Sequence, residues 1–565
     1  MVDLVDTLSR REYYNRRRSQ LELERESFIT HYKELSEYIQ PRLGRFFTTD
    51  RNRGTKKHRT IINSKATQAL RTATSGMLAG TMSPTRPWFA LETQDPEMME
   101  RPEVREWLWQ VELIMRAIFS ESNFYGMASS MLSELLLFGT GAMSHMDDFE
   151  DVARFYTHTA GSYMIAQNDR FQVDTFLREF QWTAAQIAKA FGIDNVSQSV
   201  KTAIDQGDYE NWFDVLHLIE PNDDFRPSSP LARNMRYKSV YWEKGLSKEG
   251  ADPGDPEFLE VRGFNEFPIY SPRWDVTGED IYGTNCPGMT ALGDIKQLQL
   301  QEKRKAQGID KMVNPPLTGP ASIMNVPIDA LPGGATLYDA GAGDHRLQPL
   351  YTVNPRLQEL RMDIDAVERR IDQAFFVDLF LAISNIEGIQ PRNQLDLIQR
   401  NEERLLQLGP VLEALQGEFL DPLIDRTFNQ CVRAGILPPI PDALQGRTLQ
   451  VRYISSLALA QRAVATQSIE RLLGFVGAVG QVNPRAVQKF NADQSIDEFA
   501  KSIGVPPTLV VDDETVQRDR EAEAQALQQQ QAVEAAGQLA SAASQAGAAK
   551  TDEPNALTEL TGQSG

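Results

Sequence analysis

Residues 354–380 read NPRLQELRMDIDAVERRIDQAFFVDLF. Pro355 suits the first turn of a helix, where its missing N–H loses no hydrogen bond, and Asn354 is a suitable N-cap. Apolar side chains then recur at spacings of three and four, which places them on one helix face. They are Leu357, Leu360, Ile364, Val367, Ile371 and Phe375. We predict a helix over 355–380, about 39 Å long at ~1.5 Å per residue, with this stripe packed against a neighbour.

A second helix precedes this one, from about Met289 to Lys311, within 284–312. The connection between them, 313–354, is rich in proline and glycine. Two rods of similar length joined in this way predict an antiparallel pair that holds the connection away from the body. Taken alone, the periodicity is most simply explained by an ordinary helical hairpin in a globular core.

Length and composition bound the class of protein. The chain has 565 residues, enough for two or more domains, and 41% hydrophobic and 24% charged residues are typical of a soluble protein. The sequence contains no run of ~18 apolar residues, so we expect no membrane-spanning helix. The N-terminus carries no secretory signal pattern. Cys286 and Cys431 are too few for a disulfide framework.

The net charge of −20 argues against tight binding to nucleic acid, which is usually carried out by basic proteins. An acidic surface instead suits DNA that must slide past without sticking, because few phosphates are neutralised. Acidity that only keeps the protein soluble explains the composition equally well. Two basic groups are candidate DNA or partner contacts, with a solvated surface as the alternative. These are Lys303, Arg304 and Lys305 at the end of the first helix, and Arg51, Arg53, Lys56 and Lys57 near the N-terminus.

The rest of the chain alternates between helical and strand-like patterns. Helices are predicted up to about Phe138, with Gly139 as a C-cap, and residues 142–280 read mostly as strands interrupted by one helix from Thr183. A long helical stretch from Arg392 to about Ala434 should be kinked or split at Pro410 and Pro422. Further helices are predicted up to about residue 500, and an Ala/Gln-rich C-terminal tail has little to bury.

Motifs that carry chemistry are missing from the sequence. It contains no phosphate-binding G-x-x-x-x-G-K-[ST], no H-E-x-x-H and no G-x-S-x-G. Its histidines are scattered, and two cysteines cannot complete a cysteine-based zinc site. We therefore predict no catalytic residues, no metal site and no cofactor.

Several segments, taken in order, resemble one family. Upstream of the helix pair stand FPIYSPRW (267–274) and GEDIYG (278–283), and the first helix ends at NPPL (314–317). Elsewhere are LLFGTG (136–141), LGPVL (408–412), EFLDPLIDR (418–426), GILP (435–438) and VRYISSLALAQR (451–462), in which Ser456 stands where the family usually has proline. Together these are similar to the portal, or head-to-tail connector, proteins of short-tailed, T7-like bacteriophages, over about residues 10–500.

This resemblance implies a mainly helical α+β fold assembled as a dodecameric ring with a central channel. It divides the chain into a wing (1–283, β-rich at 142–280), a stem (284–312 and 355–380), a clip (313–354), a channel loop (381–391), a long kinked helix returning to the wing (392–455), a crown (456–518) and a tail (519–565). The loop positions implied to line the channel are Ser384, Asn385, Ile386, Glu387, Gly388, Ile389 and Gln390. Candidate clip contacts to partner proteins are Leu317, Ile323, Met324, Val326, Ile328 and Leu331.

The resemblance also implies a place and a set of partners. The ring would occupy one capsid vertex in the virion, after assembly in the host cytoplasm, and pass double-stranded DNA without sequence preference. It would contact the terminase large subunit, tail adaptor and tail tube proteins, and the major capsid and scaffolding proteins. Two alternatives remain open from the residues alone: a metal-dependent DNA-processing enzyme, and a scaffold or capsid-associated protein without a channel.

Overall fold

The computed structural model describes residues 10–46, 60–99, 101–227, 234–244, 258–319, 348–350, 357–385, 402–444, 449–454 and 513–548, with isolated positions at 229, 231, 329, 446, 476 and 494–495. The described helices, in chain order, are α1 (Arg10–Tyr38), α2 (Lys65–Thr81), α3 (Pro96–Met99), α4 (Pro102–Glu121), α5 (Phe124–Phe138), α6 (Ala184–Phe191), α7 (Gln198–Asp205), α8 (Pro287–Val313), α9 (Leu357–Ala374), α10 (Val377–Asn385), α11 (Glu402–Leu415), α12 (Asp421–Ala434) and α13 (Asp513–Ala548).

The described strands form four antiparallel sheets. The strands are β1 (Phe89–Thr93), β2 (Met143–Asp148), β3 (Val152–Thr157), β4 (Tyr163–Gln167), β5 (Val173–Thr183), β6 (Trp212–Pro221), β7 (Tyr237–Glu243), β8 (Glu260–Phe264), β9 (Ile269–Tyr270), β10 (Leu317–Thr318), β11 (Gln348–Pro349) and β12 (Leu449–Tyr453). The largest sheet has the order β4-β5-β6-β7-β8, and a smaller one has the order β3-β2-β9. The predicted mixture of helix and sheet is confirmed.

The five-stranded sheet is covered on both faces, and its central strand shows this directly. Side chains of β6 are buried without alternation from Val215 to Glu220. Leu216 and Leu218 pack in one core cluster with Tyr14 and Leu21 of α1. Val215 belongs to a different cluster, which contains side chains of α6 and α7. The sheet is therefore a layer between α1 and the short helices, as a strand buried on both faces requires.

Two helices, not the single one predicted, interrupt this sheet. Thr183 caps α6 as expected, because its hydroxyl accepts the N–H of Gln186 while the Gln186 amide oxygen accepts the N–H of Thr183. Ser197 caps α7, where its hydroxyl accepts the N–H of Val200. The α7 sequence is short and carries few apolar residues, so the capping serine was its main signal.

The predicted long helix after residue 392 is described from Glu402. It continues through Pro410, which lies inside α11, and then passes through one π-helical segment, Gln416–Leu420, into α12. Pro422 is the second residue of α12, directly after the π-helical segment, and Gly435 ends the helix at φ +66°. The chain then returns to the N-terminal half, because β12 pairs with β1 in the register Leu91 to Val451.

A buried arginine joins the π-helical segment to the sheet. Arg273 is 4% exposed, and its Nε lies 3.0 Å from Oε1 of Glu418. Its Nη2 donates to the carbonyl of Phe171 at 2.6 Å, and its Nη1 donates to Oε1 of Gln167 at 2.7 Å. One guanidinium thus ties three separate segments together through charge-assisted hydrogen bonds.

The chain divides into two compact units, residues 1–94 with 106–465, and residues 95–105 with 466–565. In the second unit, α13 runs across position 518, where the sequence placed a boundary between two regions. Nearly all of its described side chains are exposed, in keeping with the prediction that the Ala/Gln-rich segment has little to bury. Among the described helices, none has both the length and the apolar character to cross a membrane.

Candidate channel and partner site

The predicted helix pair exists, and α8 runs antiparallel to α9. Arg370 donates through Nε to Oδ1 of Asp294 at 2.8 Å, and Gln301 donates to a carboxylate oxygen of Asp363. Later residues of α8 therefore contact earlier residues of α9, as in an antiparallel pair. The connection leaves and re-enters the pair at one end, as the two-rod argument predicted.

We call residues 287–302 with 364–374 the basal half of the pair. Most of its apolar residues are buried, including Ile295 and Leu298 on α8 and Ile364, Val367 and Ile371 on α9, although Leu300 at its distal end is 47% exposed. The four predicted stripe residues from Ile364 to Phe375 are at most 3% exposed, whereas Leu360 is half-buried. The side chain of Leu357 lies outside the described residues.

A polar lock attaches the basal half to the segment before α2. Gln299, 5% exposed, accepts the N–H groups of Ile62 and Asn63 at 2.6 and 2.9 Å and donates to the carbonyl of Asn63 at 2.8 Å. The Asn63 side chain donates to Glu368 on α9 at 2.9 Å. Lys65 and Asp372 add an ion pair at 2.6 Å. Both helices are thus fixed to one backbone turn.

We call residues 303–313 with 357–363 the distal half. None of its described side chains is buried. Apolar residues are nevertheless present and exposed there: Ile309 (41%), Met312 (44%), Val313 (80%) and Met362 (67%). This half of the pair leaves apolar surface open that the rest of the described chain does not cover.

Beyond the distal half, the connection begins and ends as a two-stranded ribbon. Leu317 pairs with Pro349 and Thr318 with Gln348. Leu317, one of the predicted partner contacts, is 46% exposed, and Leu350 on the returning strand is 60% exposed. The other predicted contacts, Ile323, Met324, Val326, Ile328 and Leu331, lie outside the described residues.

The predicted single helix over 355–380 is wrong at its C-terminal end. It divides into α9 and α10 at Phe375–Phe376, and Phe376 has φ +54°, a left-handed conformation rare for a bulky side chain. The break lets α10 turn its own apolar residues, Leu379 and Phe380, into the interior. Tertiary packing, not local propensity, sets this break.

The helix α10 is seated on a glycine of α2. A Cβ added at Gly76 would lie 2.3 Å from the Cβ of Phe380, so the crossing needs a residue without a side chain at that point. The predicted loop 381–391 is therefore helical at 381–385, and Ser384 and Asn385 belong to the last turn of α10. The predicted loop residues Ile386, Glu387, Gly388, Ile389 and Gln390 lie outside the described residues.

The candidate basic contacts differ in their surroundings. Lys303 and Arg304 are exposed on α8, whereas the Nζ of Lys305 lies 3.1 Å from a carboxylate oxygen of Glu302 on the same helix. Arg51, Arg53, Lys56 and Lys57 lie outside the described residues. Among the described residues, no group of three His, Cys, Asp or Glu side chains is arranged to hold a metal ion.

Sequence reasoning missed Gln299, Asn63, Gly76 and Phe376 as organising residues. A glutamine on the apolar face of α8 was the one available signal, because a polar residue at a core position needs partners. Gly76 lies in a run of small residues on α2, but only its partner Phe380 reveals why a glycine is required. The strained conformation of Phe376 has no signature in the sequence.

Comparison with known proteins now adds the family. Residues 11–511 match the model of the bacteriophage head to tail connecting protein family. The portal protein of Salmonella phage epsilon15 is 42% identical over 97% of this chain and 97% of that protein. The probable portal protein of Bordetella phage BPP-1 is 43% identical over 96% of each. Among solved structures, a neck of an empty gene transfer agent particle matches with 11% identity and a TM-score of 0.35, covering 83% of this chain and 98% of that chain.

The chain belongs to the bacteriophage head-to-tail connecting protein family. Its function is that of a portal protein, a structural component of the head–tail junction of the phage particle.

Proposed function

We propose that copies of this chain close into a ring, a dodecamer as the family resemblance implies, at one capsid vertex. The ring would form the channel through which double-stranded DNA is packaged and ejected. The observation that carries this is the contrast along the helix pair. Most apolar side chains of the basal half are buried by the chain's own residues, whereas Met312, Val313 and Met362 in the distal half are exposed. A heterologous contact between neighbouring pairs would cover this surface, and such contacts generate rings when the rotation closes.

The connection at the tip of the pair would be the docking surface for other proteins. The pair would hold it away from the body, and Leu317 in the ribbon and Leu350 directly after it are exposed. It would bind the terminase large subunit during packaging and tail adaptor and tail tube proteins afterwards. Major capsid and scaffolding proteins would meet the region 1–283. The chain itself would not be an enzyme, since the energy for translocation would come from the terminase.

DNA would pass through the ring with weak and non-specific contacts. The net charge of −20 keeps most of the surface repulsive to phosphates. Lys303 and Arg304 on α8 are exposed cations that can touch the backbone transiently. The segment 386–390, directly after α10, would lie at the narrowest part of the channel, and the seat of Phe380 on Gly76 would fix where that segment begins.

The ring is tested by native mass spectrometry of the purified protein and of Met362→Glu. The wild type should give a closed ring, and the variant should shift to monomers without losing thermal stability, because Met362 is exposed within one chain. Leu23→Glu is the matched control, since Leu23 is an even more exposed apolar residue (81% against 67%) on α1. Wild-type protein that stays monomeric over a wide concentration range, or intact rings of Met362→Glu, would contradict the proposal.

The docking role is tested separately by deleting residues 318–345. Rings should form as in the wild type, because the deleted segment follows the distal half of the pair. Packaging assays with purified terminase and empty heads should then show no DNA uptake. Normal packaging by the deletion variant would assign partner docking to another surface.

A further inference from the structure

One exposed aromatic side chain, Phe149, belongs to neither the helix pair nor the ribbon at its tip. Phe149 lies in the turn between β2 and β3, within the sequence DDFED of residues 147–151. Its relative accessibility of 110% is the highest of any large apolar residue in the described part of the chain. Single exposed apolar residues are common on protein surfaces, so exposure alone assigns nothing. The construction of the turn and its charges carry the inference.

The turn is held in one conformation by hydrogen bonds from its own backbone N–H groups to a side chain within it. Oδ1 of Asp148 accepts the N–H groups of Glu150 at 2.7 Å and Asp151 at 3.2 Å, which is an Asx-type turn. These two hydrogen bonds also lower the pKa of Asp148 below its ordinary value. Val152 closes the turn at φ +65°, a conformation that is a genuine outlier for a β-branched residue. Strain of this kind persists only where the surroundings impose it, and it is concentrated at functional segments.

The strand end beside this turn is fixed to α12. Oδ1 of Asp147 accepts from the side-chain amide of Gln430 and from Nη2 of Arg433 at 3.4 Å. Arg426, which is 4% exposed, approaches the same oxygen at 3.7 Å. The turn is therefore ordered in itself and anchored to a helix through the adjoining strand residue. An aromatic side chain presented in this way loses little further conformational freedom when it binds, which favours affinity.

The charges around Phe149 restrict what it can bind. Four carboxylates surround it in sequence: Asp147, Asp148, Glu150 and Asp151. Arg433 accompanies Asp147, and Arg154 pairs with Asp151 at 3.2 Å, so the acidic character is concentrated at Asp148 and Glu150. Phosphates of DNA would be repelled by this tip. Because each copy of the chain carries a net charge of −20, a basic rim is less available on another copy than on a more basic protein.

We infer that Phe149 is an anchor that inserts into an apolar pocket rimmed by lysine or arginine on a different protein of the phage particle. The aromatic ring would supply the buried contact, and the flanking carboxylates would select a basic rim. Aromatic residues of this type dominate the energetics of many interfaces, while complementary charges contribute specificity and association rate. The inference rests on the proposed function only in locating the partner within the particle.

The test places a photoreactive benzoylphenylalanine at position 149 and uses the proteins of assembled, purified particles as the probe. The matched control carries the same residue at position 171. Phe171 is also an exposed phenylalanine (52%) in an ordered turn, in which Asn168 accepts the N–H groups of Arg170 and Gln172, but Asp169 is the only acid within two residues of it in the sequence. After irradiation, position 149 should cross-link to one non-portal protein, at a peptide with apolar residues flanked by Lys or Arg. The yield should be at least about tenfold higher than at position 171.

A charge variant tests the second half of the inference. Glu150→Lys in the same background should lower the cross-linking yield severalfold, whereas Glu150→Asp should preserve it. Cross-links to another copy of the chain or to DNA, equal yields at positions 149 and 171, or no response to Glu150→Lys would overturn the inference. Native mass spectrometry of Phe149→Ser separates this from the proposed ring: an intact ring with no cross-linking partner means that only the anchor assignment has failed.

Discussion

The basal and distal halves of the helix pair differ in what covers their apolar residues. In the basal half, Ile371 is fully buried and Gln299 is hydrogen-bonded to the segment before α2. In the distal half, the apolar side chains of Met362 and Val313 are exposed, and no described residue is buried. Two ends of the same pair, built from similar amphipathic sequence, therefore have different partners.

This difference separates stability from assembly. Burial of apolar side chains within one chain contributes to the free energy of unfolding of that chain. Exposed apolar side chains contribute little until a neighbour covers them, and then they contribute to association. Substitutions in the basal half should act on the fold, and substitutions in the distal half should act on the contact between copies.

The largest expected contrast comes from truncating one apolar side chain in each half. Ile371→Ala should reduce the free energy of unfolding by about 2–5 kcal/mol, because it removes buried methyl groups and leaves a cavity. Met362→Ala should change it by less than about 0.5 kcal/mol, as expected for an exposed position. Chemical denaturation of the protein under conditions where it is monomeric measures both values. Similar losses from the two substitutions would remove the distinction between the halves.

Stability should also depend on pH through Glu134 of α5, the helix against which the start of α8 packs. Full burial raises the pKa of Glu134 to about 7, although it accepts hydrogen bonds from the Thr159 hydroxyl and the Ala160 N–H. A carboxyl whose pKa is higher in the folded state stabilises the fold when protonated. That contribution is complete below the unfolded value, near 4.5, and is lost as the pH rises through about 7.

The measurement compares wild type with Glu134→Gln, which stays neutral at every pH. Relative to the variant, the wild type should lose about 3 kcal/mol of unfolding free energy between pH 4.5 and pH 8. Taking the difference between the two proteins removes the separate effect of His145, His158 and His217, whose pKa values burial lowers well below the ordinary value. A difference that does not change with pH would show that Glu134 stays charged in the folded protein.

A smaller effect is expected from the polar lock. Gln299→Leu should cost about 1–3 kcal/mol, because it leaves the N–H groups of Ile62 and Asn63 without their acceptor. Gln301→Leu is the control, since its bond to Asp363 is exposed to water and should cost less than about 1 kcal/mol. Hydrogen exchange at the amides of residues 62 and 63 should accelerate only in the first variant. Unchanged protection there would mean that the lock is not needed to hold this segment.

The last two effects, the second of them the smallest, have opposite signs at two helical glycines. Gly76→Ala should destabilise the protein by about 1–3 kcal/mol, because the new methyl group meets Phe380 in a filled space. Gly293→Ala on α8 should stabilise it by about 0.5–1 kcal/mol, since nothing lies near the added carbon and alanine favours helix. Thermal melting resolves both changes. Stabilisation by both substitutions would show that α10 can move away from α2 at no cost.

Much of the fold could be predicted from local patterns. The apolar spacing of α9, the N-cap at Thr183, the glycine C-cap at Gly139 and the helix end near Ala434 all depend on short-range chemistry, and each has the predicted structure. The break at Phe376 could not be predicted, because the sequence on both sides favours helix. The contact of Phe380 with Gly76 requires the chain to turn at Phe376, which has a left-handed conformation. Phe380 and Gly76 are about 300 residues apart in the chain.

The sequence by itself determined the helix pair, the β-rich region between helical segments and the family. These follow from periodicity and from the order of motifs, which are carried by neighbouring residues. Only the tertiary structure decided which half of the pair is closed and where α10 begins. Both depend on contacts between distant segments, such as Gln299 with Asn63 and Phe380 with Gly76, which the local preferences of the chain do not encode.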